Sequence, residues 1–210
     1  MWLSRMTKFA GCSVLVAVGT SMLFGQPLVA ASEEQQADYF PLRVGSKWHL
    51  QIEKNGVVNR ETVQITKIET VDGRMRVHFD VVRMGKTTSM EVPWMAPSNK
   101  GLFMASDPPV CVLKYPINEG DSWRTKSKLN GVEFLFICTV GKWEQVQVPA
   151  GKFKAIKVRV EAEENAVPFT SEYWFTANVG VVMQTHEVSG NKATKTIMRL
   201  EKFEKASDKK

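Results

Sequence analysis

The stretch Phe40-Pro41-Leu42-Arg43-Val44-Gly45-Ser46-Lys47-Trp48 decides how the chain reads. It recurs, degraded but in register, as Tyr115-Pro116-Ile117-Asn118-Glu119-Gly120-Asp121-Ser122-Trp123. Both copies run aromatic, Pro, aliphatic, two free positions, Gly, two free positions, Trp. Each reaches an Asn-Gly-Val at the same spacing, Asn55-Gly56-Val57 and Asn130-Gly131-Val132. Proline has fixed φ and no N–H, so Pro41 and Pro116 suit a strand entrance or edge. Gly45 and Gly120 permit positive φ and a sharp bend. Trp48, Leu50 and Ile52 then alternate with Lys47, His49, Gln51 and Glu53, the period of a strand with one buried face. Asn-Gly favours a type I′ hairpin turn. Each copy thus predicts a bent entry, a Trp-bearing strand, a tight turn and a return strand, a unit used twice.

Working outward, the same grammar continues. Val71-Asp72-Gly73 turns the chain into Met75, Val77, Phe79 and Val81, which alternate with polar residues, and Gly85-Lys86 leads to Met90 and Trp94. Ser106-Asp107-Pro108-Pro109 is the best internal boundary. Val132 to Val140 is nearly all apolar, which predicts burial on both faces. Ile156, Val158 and Val160 alternate cleanly, and Tyr173-Trp174-Phe175 reads as an aromatic strand. Trp94-Met95-Ala96 with Gly101-Leu102 echoes Trp174-Phe175-Thr176 with Gly180-Val181, so the repeat extends past its opening. No long helical period occurs. The expectation is an all-β antiparallel domain over residues 39–204, with repeats at about 39–105 and 110–204 forming a bent sheet, sandwich or open barrel, and a charged tail at 205–210.

The 210 residues suffice for one sizeable core. Arg5 and Lys8 precede an apolar run from Val14 to Phe24, and Ala30-Ala31-Ser32 follows, the pattern of a secretory signal peptide over residues 1–31. Residues 32–38 form a polar leader. The alternative is an uncleaved anchor. Cleavage would remove Arg5 and Lys8 and take the net charge from +6 to +4. That excess allows peripheral contact with an anionic membrane surface and lacks the basic stripe of a nucleic-acid binder. The expected location is exported, periplasmic or extracellular. There Cys111 and Cys138 can form a disulfide worth about 3.5 kcal/mol on chain-entropy grounds. The alternative is two buried thiols on neighbouring strands.

The Phe-Pro-Leu-x-x-Gly-x-x-Trp opening, Val148-Pro149-Ala150-Gly151-Lys152-Phe153 and Tyr173-Trp174-Phe175 with Val179-Gly180-Val181-Val182 resemble a TapB-like group of uncharacterised exported bacterial proteins. The resemblance implies an exported β-rich module and transfers no catalytic residue.

Candidate chemistry is sparse. Gly120-Asp121-Ser122 suggests a serine nucleophile, yet it is the repeated bend and lacks the strand-to-helix elbow. His49, His78 and His186 share no metal-ligand spacing. Glu161, Glu163 and Glu172 could pair as glycosidase carboxylates, but a charged strand face is the ordinary outcome. Met90, Met95 and Met104 upstream of Cys111 could bind copper, though thioethers beside a Trp are usually core filler. Five tryptophans follow the leader, and Trp94, Trp123 and Trp174 are the candidate ligand-binding residues for an apolar ligand groove. The reading is a non-enzymatic envelope module without cofactor or metal. Its partner is a small apolar ligand such as a lipid or, alternatively, another envelope protein bound at a sheet edge. A glycan or lipid hydrolase is the third possibility.

Overall fold

Asn55 and Gly56 both take positive φ, 51° and 79°, as a type I′ turn requires. In this computed structural model they join β1 (Lys47–Lys54) to β2 (Val57–Val71) with Trp48 opposite Val63 and Leu50 opposite Glu61. The structure describes residues 38–71, 74–91, 95–104, 106–129, 131–163, 168–190 and 193–206. The signal peptide, nearly all of the leader, Trp94, Asn130 and the end of the tail lie outside them.

The repeat is physical. Gly45 donates its N–H to the Ile65 carbonyl at 2.8 Å, and Ile65 donates to Ser46 at 3.1 Å. Gly120 donates to Val140 at 2.9 Å, and Val140 to Asp121 at 2.8 Å. Every residue of the second set lies 75 positions after its counterpart in the first. Gly45 and Gly120 have φ of 94° and 84°, so the bend that opens each copy depends on glycine.

The remaining strands are β3 (Arg74–Arg83), β4 (Lys86–Glu91), β5 (Met95–Ser98), β6 (Gly101–Met104), β7 (Val110–Lys114), β8 (Ser122–Leu129), β9 (Val132–Val148), β10 (Gly151–Glu163), β11 (Phe169–Thr176), β12 (Gly180–Val188) and β13 (Thr194–Glu204). Ten form one antiparallel sheet in the order β4-β3-β2-β1-β13-β12-β11-β10-β9-β8. Two meanders, one per repeat, are therefore joined where β1 pairs with β13. The sheet is all-β and open, and β4 and β8 are its edges. Register shifts at Leu50, Ile65–Lys67, Ile156–Val158 and Trp174–Phe175 mark bulges. Each adds local twist and bend, and together they coil the sheet.

The repeats diverge after β4. In the second, β11 runs unbroken from Phe169 to Thr176 and turns directly into β12. In the first, the chain leaves the sheet, and β5, β6 and β7 make a separate three-stranded sheet. Leu102, Val110, Val112 and Leu113 of this small sheet are buried with Phe136, Cys138, Val140, Ile156, Val158, Tyr173 and Phe175 of β9–β11. The chain thus covers the inner face of its second half with its own strands. Two anchors hold the cover: Asp107 and Lys128 exchange backbone hydrogen bonds, and Ser127 Oγ donates to the Pro108 carbonyl at 2.6 Å.

A second cluster gathers Leu50, Val146, Val148, Ala155, Trp174, Val182 and Leu200. β13 pairs with β12 only as far as Arg199, which frees the Leu200 carbonyl. Ala150, at the β9–β10 turn, donates to it at 3.0 Å.

One expectation is corrected. The run Val132–Val140 is not buried on both faces: Phe136, Cys138 and Val140 are buried, while Leu135, Ile137 and Thr139 remain partly exposed. The small sheet covers only one face of β9. Ser106–Pro109 carries the β6–β7 connection, and β7 pairs with β6 and not with the second meander.

Candidate functional site

Side chains two apart on a strand share a face, and antiparallel register lines them up across strands. On the inner face of the first half this produces apolar rows. Trp48, Val63 and Val81 align across β1, β2 and β3; Ile65, Phe79 and Met90 align across β2, β3 and β4. Met198 on β13 continues the surface beside Ile52. Apart from Ile65, which is fully buried, these residues wall a groove of about 430 Å³, bounded on one side by Phe40 and Leu42 of the opening motif. That volume lies within the range of about 300–1,000 Å³ usual for small-molecule sites. The small sheet reaches the second half only, so among the described residues no strand covers this face.

Trp48 holds one wall rigidly. Its Nε1 donates to the Val179 carbonyl at 2.8 Å, and its ring packs on Phe203 with centroids 5.2 Å apart. The polar groups gather where β1 and β3 reach their turns. Glu61 is only 8% exposed, and its carboxylate is paired with the more exposed Arg83 guanidinium. A carboxylate this buried needs such a partner. His186 Nδ1 lies 2.8 Å from the hydroxyl of Ser171, which is itself buried. Burial, then the nearby Lys54 ammonium, lowers the His186 pKa, so the ring favours its neutral form.

Of the candidate ligand-binding residues, Trp94 lies outside the described residues. Trp123 is half-buried against the first cluster, and its Nε1 donates to the Cys111 carbonyl at 2.8 Å. Trp174 belongs to the second cluster, where its Nε1 donates to Glu144 and Lys157 sits over its ring at 5.1 Å. Neither residue lines the groove. Trp48, Phe79, Val81 and Met198 do; the sequence reading placed Trp48, Phe79 and Val81 on alternating strand faces and did not single out Met198. Period-two alternation assigns residues to a face without showing whether another element covers it.

The hydrolase candidates are dispersed. Ser122 Oγ is exposed and within 3.1 Å of Thr139 Oγ1. Glu161 and Glu172 pair with Arg159 on the outer face, and Glu163 is exposed there. His186 lies on the opposite, inner face. His49 is held by Glu204 and Thr62, and His78 by Glu69. Among the described residues no His/Cys/Asp/Glu group could hold a metal. Of the methionines proposed for copper, Met90 borders the groove and Met104 packs on the first cluster.

Cys111 and Cys138 do not form the expected disulfide: both are free thiols. Cys138 is fully buried in the first cluster, and Cys111 is half-buried on β7. Burial raises their pKa values to about 12 and about 11. Thiolates are the reactive form, so both are nearly inert at neutral pH. Native protein at pH 7.5 is expected to take up an iodoacetamide at these positions at least tenfold more slowly than in denaturant, without prior reduction. Labelling in denaturant that requires a reductant would show a disulfide instead.

No family model matches the chain, and no curated protein matches it. The TapB-like resemblance therefore rests on the quoted residues alone. Solved structures are similar at low identity. A candidate lipoprotein from Parabacteroides distasonis is 15% identical, with 80% of this chain and 99% of that one covered and a TM-score of 0.49. A candidate exported protein with a YmcC-like fold from Bacteroides fragilis is 18% identical over 80% and 100%, TM-score 0.49. The hypothetical lipoprotein YmcC of Escherichia coli is 12% identical over 80% and 88%, TM-score 0.40.

Proposed function

We propose that this protein is an exported, non-enzymatic binding module that holds an acyl chain in the groove of its first half. The observation that carries the reading is the unequal treatment of two equivalent faces. The second is filled by the chain's own small sheet, while the first presents Trp48, Ile52, Val63, Phe79 and Val81 to an open groove. Burying a methylene gains about 0.8 kcal/mol, so ten give about 8 kcal/mol before the costs of association. Export is supported by the basic, apolar and small-residue succession of residues 1–31.

Trp48 reports on occupancy. Addition of 9,10-dibromostearate is expected to quench tryptophan emission saturably, and Trp48→Phe to remove most of the quenching. Quenching that survives the substitution, or none at all, would overturn the reading.

A second reading, a protein partner at a sheet edge, has one favourable observation. Edge strand β8 carries Arg124, Lys126 and Lys128 exposed, the charges that block edge pairing, whereas edge strand β4 has one exposed lysine, Lys86, at its turn end and then exposes Thr87, Thr88, Ser89 and Met90. Such a partner would add to β4.

A further inference from the structure

The groove is not polar at random. Lys54 closes β1 just before the Asn55-Gly56 turn, and Arg83 closes β3 just before Met84-Gly85. In an antiparallel meander these turns lie at the same end of the sheet. Lys54 pairs across β13 with Thr196, which pairs across β12 with His186, so the three share a row. Thr196 and His186 both line the groove. The Lys54 ammonium is near enough to His186 to lower its pKa, after burial.

We infer that the groove takes a single-chain amphiphile with an anionic head group, held at the turn end by Lys54, Thr196 and His186, with Arg83 on β3 further in, level with Leu50 in the register, its acyl chain running towards Phe79 and Phe40. This rests on the groove reading above and adds the head-group class and the orientation. Three observations carry it. First, the row contains two hydrogen-bonding side chains and a cation. Among the described residues no carboxylate forms an ion pair with Lys54, although Glu53 and Glu187, next to it and next to His186, are engaged by Arg199 and Lys195. Second, Glu61 is the one carboxylate among the groove's lining residues, and Arg83 already neutralises it. A guanidinium has five N–H donors, and the Arg83 side chain is 62% exposed, so donors remain for a second anion. Third, apart from Gln184 the side chains of the remaining lining are apolar and none is charged, so a head group placed elsewhere would be buried without a charged partner, at a cost of several kcal/mol for a charge.

The test is a head-group series at constant chain length: laurate, dodecanol and dodecyltrimethylammonium, each below its aggregation threshold. Binding to the mature protein is measured by titration calorimetry at low ionic strength. Laurate is expected to bind about tenfold more tightly than dodecanol, and the ammonium more weakly than either. Lys54→Gln is expected to remove most of the laurate advantage and to weaken dodecanol far less, because the alcohol loses at most a neutral hydrogen bond and Lys54 is exposed. Added salt should shrink the advantage. Equal affinity across the series would overturn the head-group inference and leave the groove reading intact. A laurate preference that Lys54→Gln does not alter would overturn the placement of the head group. If none of the three binds, the groove reading itself fails and the inference with it.

Discussion

Gly101→Ala is expected to destabilise the protein by about 3 kcal/mol, although it adds a single methyl group. Gly101 opens β6 with φ 145°, a conformation L-residues rarely adopt. A Cβ there would lie 2.1 Å from the Leu113 carbonyl oxygen on β7. That oxygen belongs to backbone in the small sheet and cannot swing aside as a side chain can. Conformational strain of about 1–3 kcal/mol therefore adds to an overpacking cost of about 1–3 kcal/mol. The expected readout is a drop in Tm of about 6–12 °C for a domain of this size. A suitable control is Gly56→Ala, where φ is 79° but nothing lies within 4 Å of the new Cβ. It should cost about 1 kcal/mol. Equal shifts for the two variants would show that the small sheet is not clamped as described. Because Leu102 and Leu113 cover Phe136 and Val158, the Gly101 variant should also bind a hydrophobic dye more strongly well below its Tm.

Val81→Asp is expected to abolish acyl-chain binding, with a loss of at least about 100-fold. Val81 lies in the middle row of the groove, opposite Val63 on one side and Thr88 on the other. A carboxylate there must lose its water when a chain is seated, and the nearest cation on that face, Arg83, is already engaged by Glu61. The cost of several kcal/mol exceeds the about 2.7 kcal/mol that a 100-fold change represents. Stability should change far less, because Val81 is only partly buried without ligand. Val82→Asp, one residue on, points to the opposite face, is already exposed and should leave binding unaltered. A Val81 variant that binds normally would place the ligand elsewhere.

Much of this architecture was legible in particular residues. Gly45 and Gly120, with Asn55-Gly56, carried the bends and the turn because only a few residues tolerate those backbone angles. The alternation of Trp48, Leu50 and Ile52 placed their common face. The site was not legible, and the reason is physical. Trp48 and Trp123 occupy matching positions in the two copies, although the second strand alternates more weakly, with Thr125 and Ser127 where the first has Leu50 and Ile52. Which of the two faces is covered depends on where β5–β7 settle, and strand periodicity carries no information about that. One signal was available: Pro93 and Pro97 interrupt the first copy where the second runs unbroken from Phe169 to Thr176. Proline cannot donate to a central ladder, so a departure from the sheet between β4 and β5 could have been read there. The disulfide expectation failed for a related reason. Compartment and cysteine count permit a bridge, but only the packing shows Cys138 enclosed in the core and Cys111 on another sheet.

The central claim is that two copies of one unit meet different ends, one filled by the chain itself and the other left for an acyl chain. An anomalous difference map from crystals grown with 9,10-dibromostearate tests it most directly. The account predicts bromine peaks between β1–β3 and β13, beside Trp48 and Val81, and none between the small sheet and β9–β11. Bromine among Leu102, Leu113 and Phe136, or an empty first groove in a saturated complex, would contradict it.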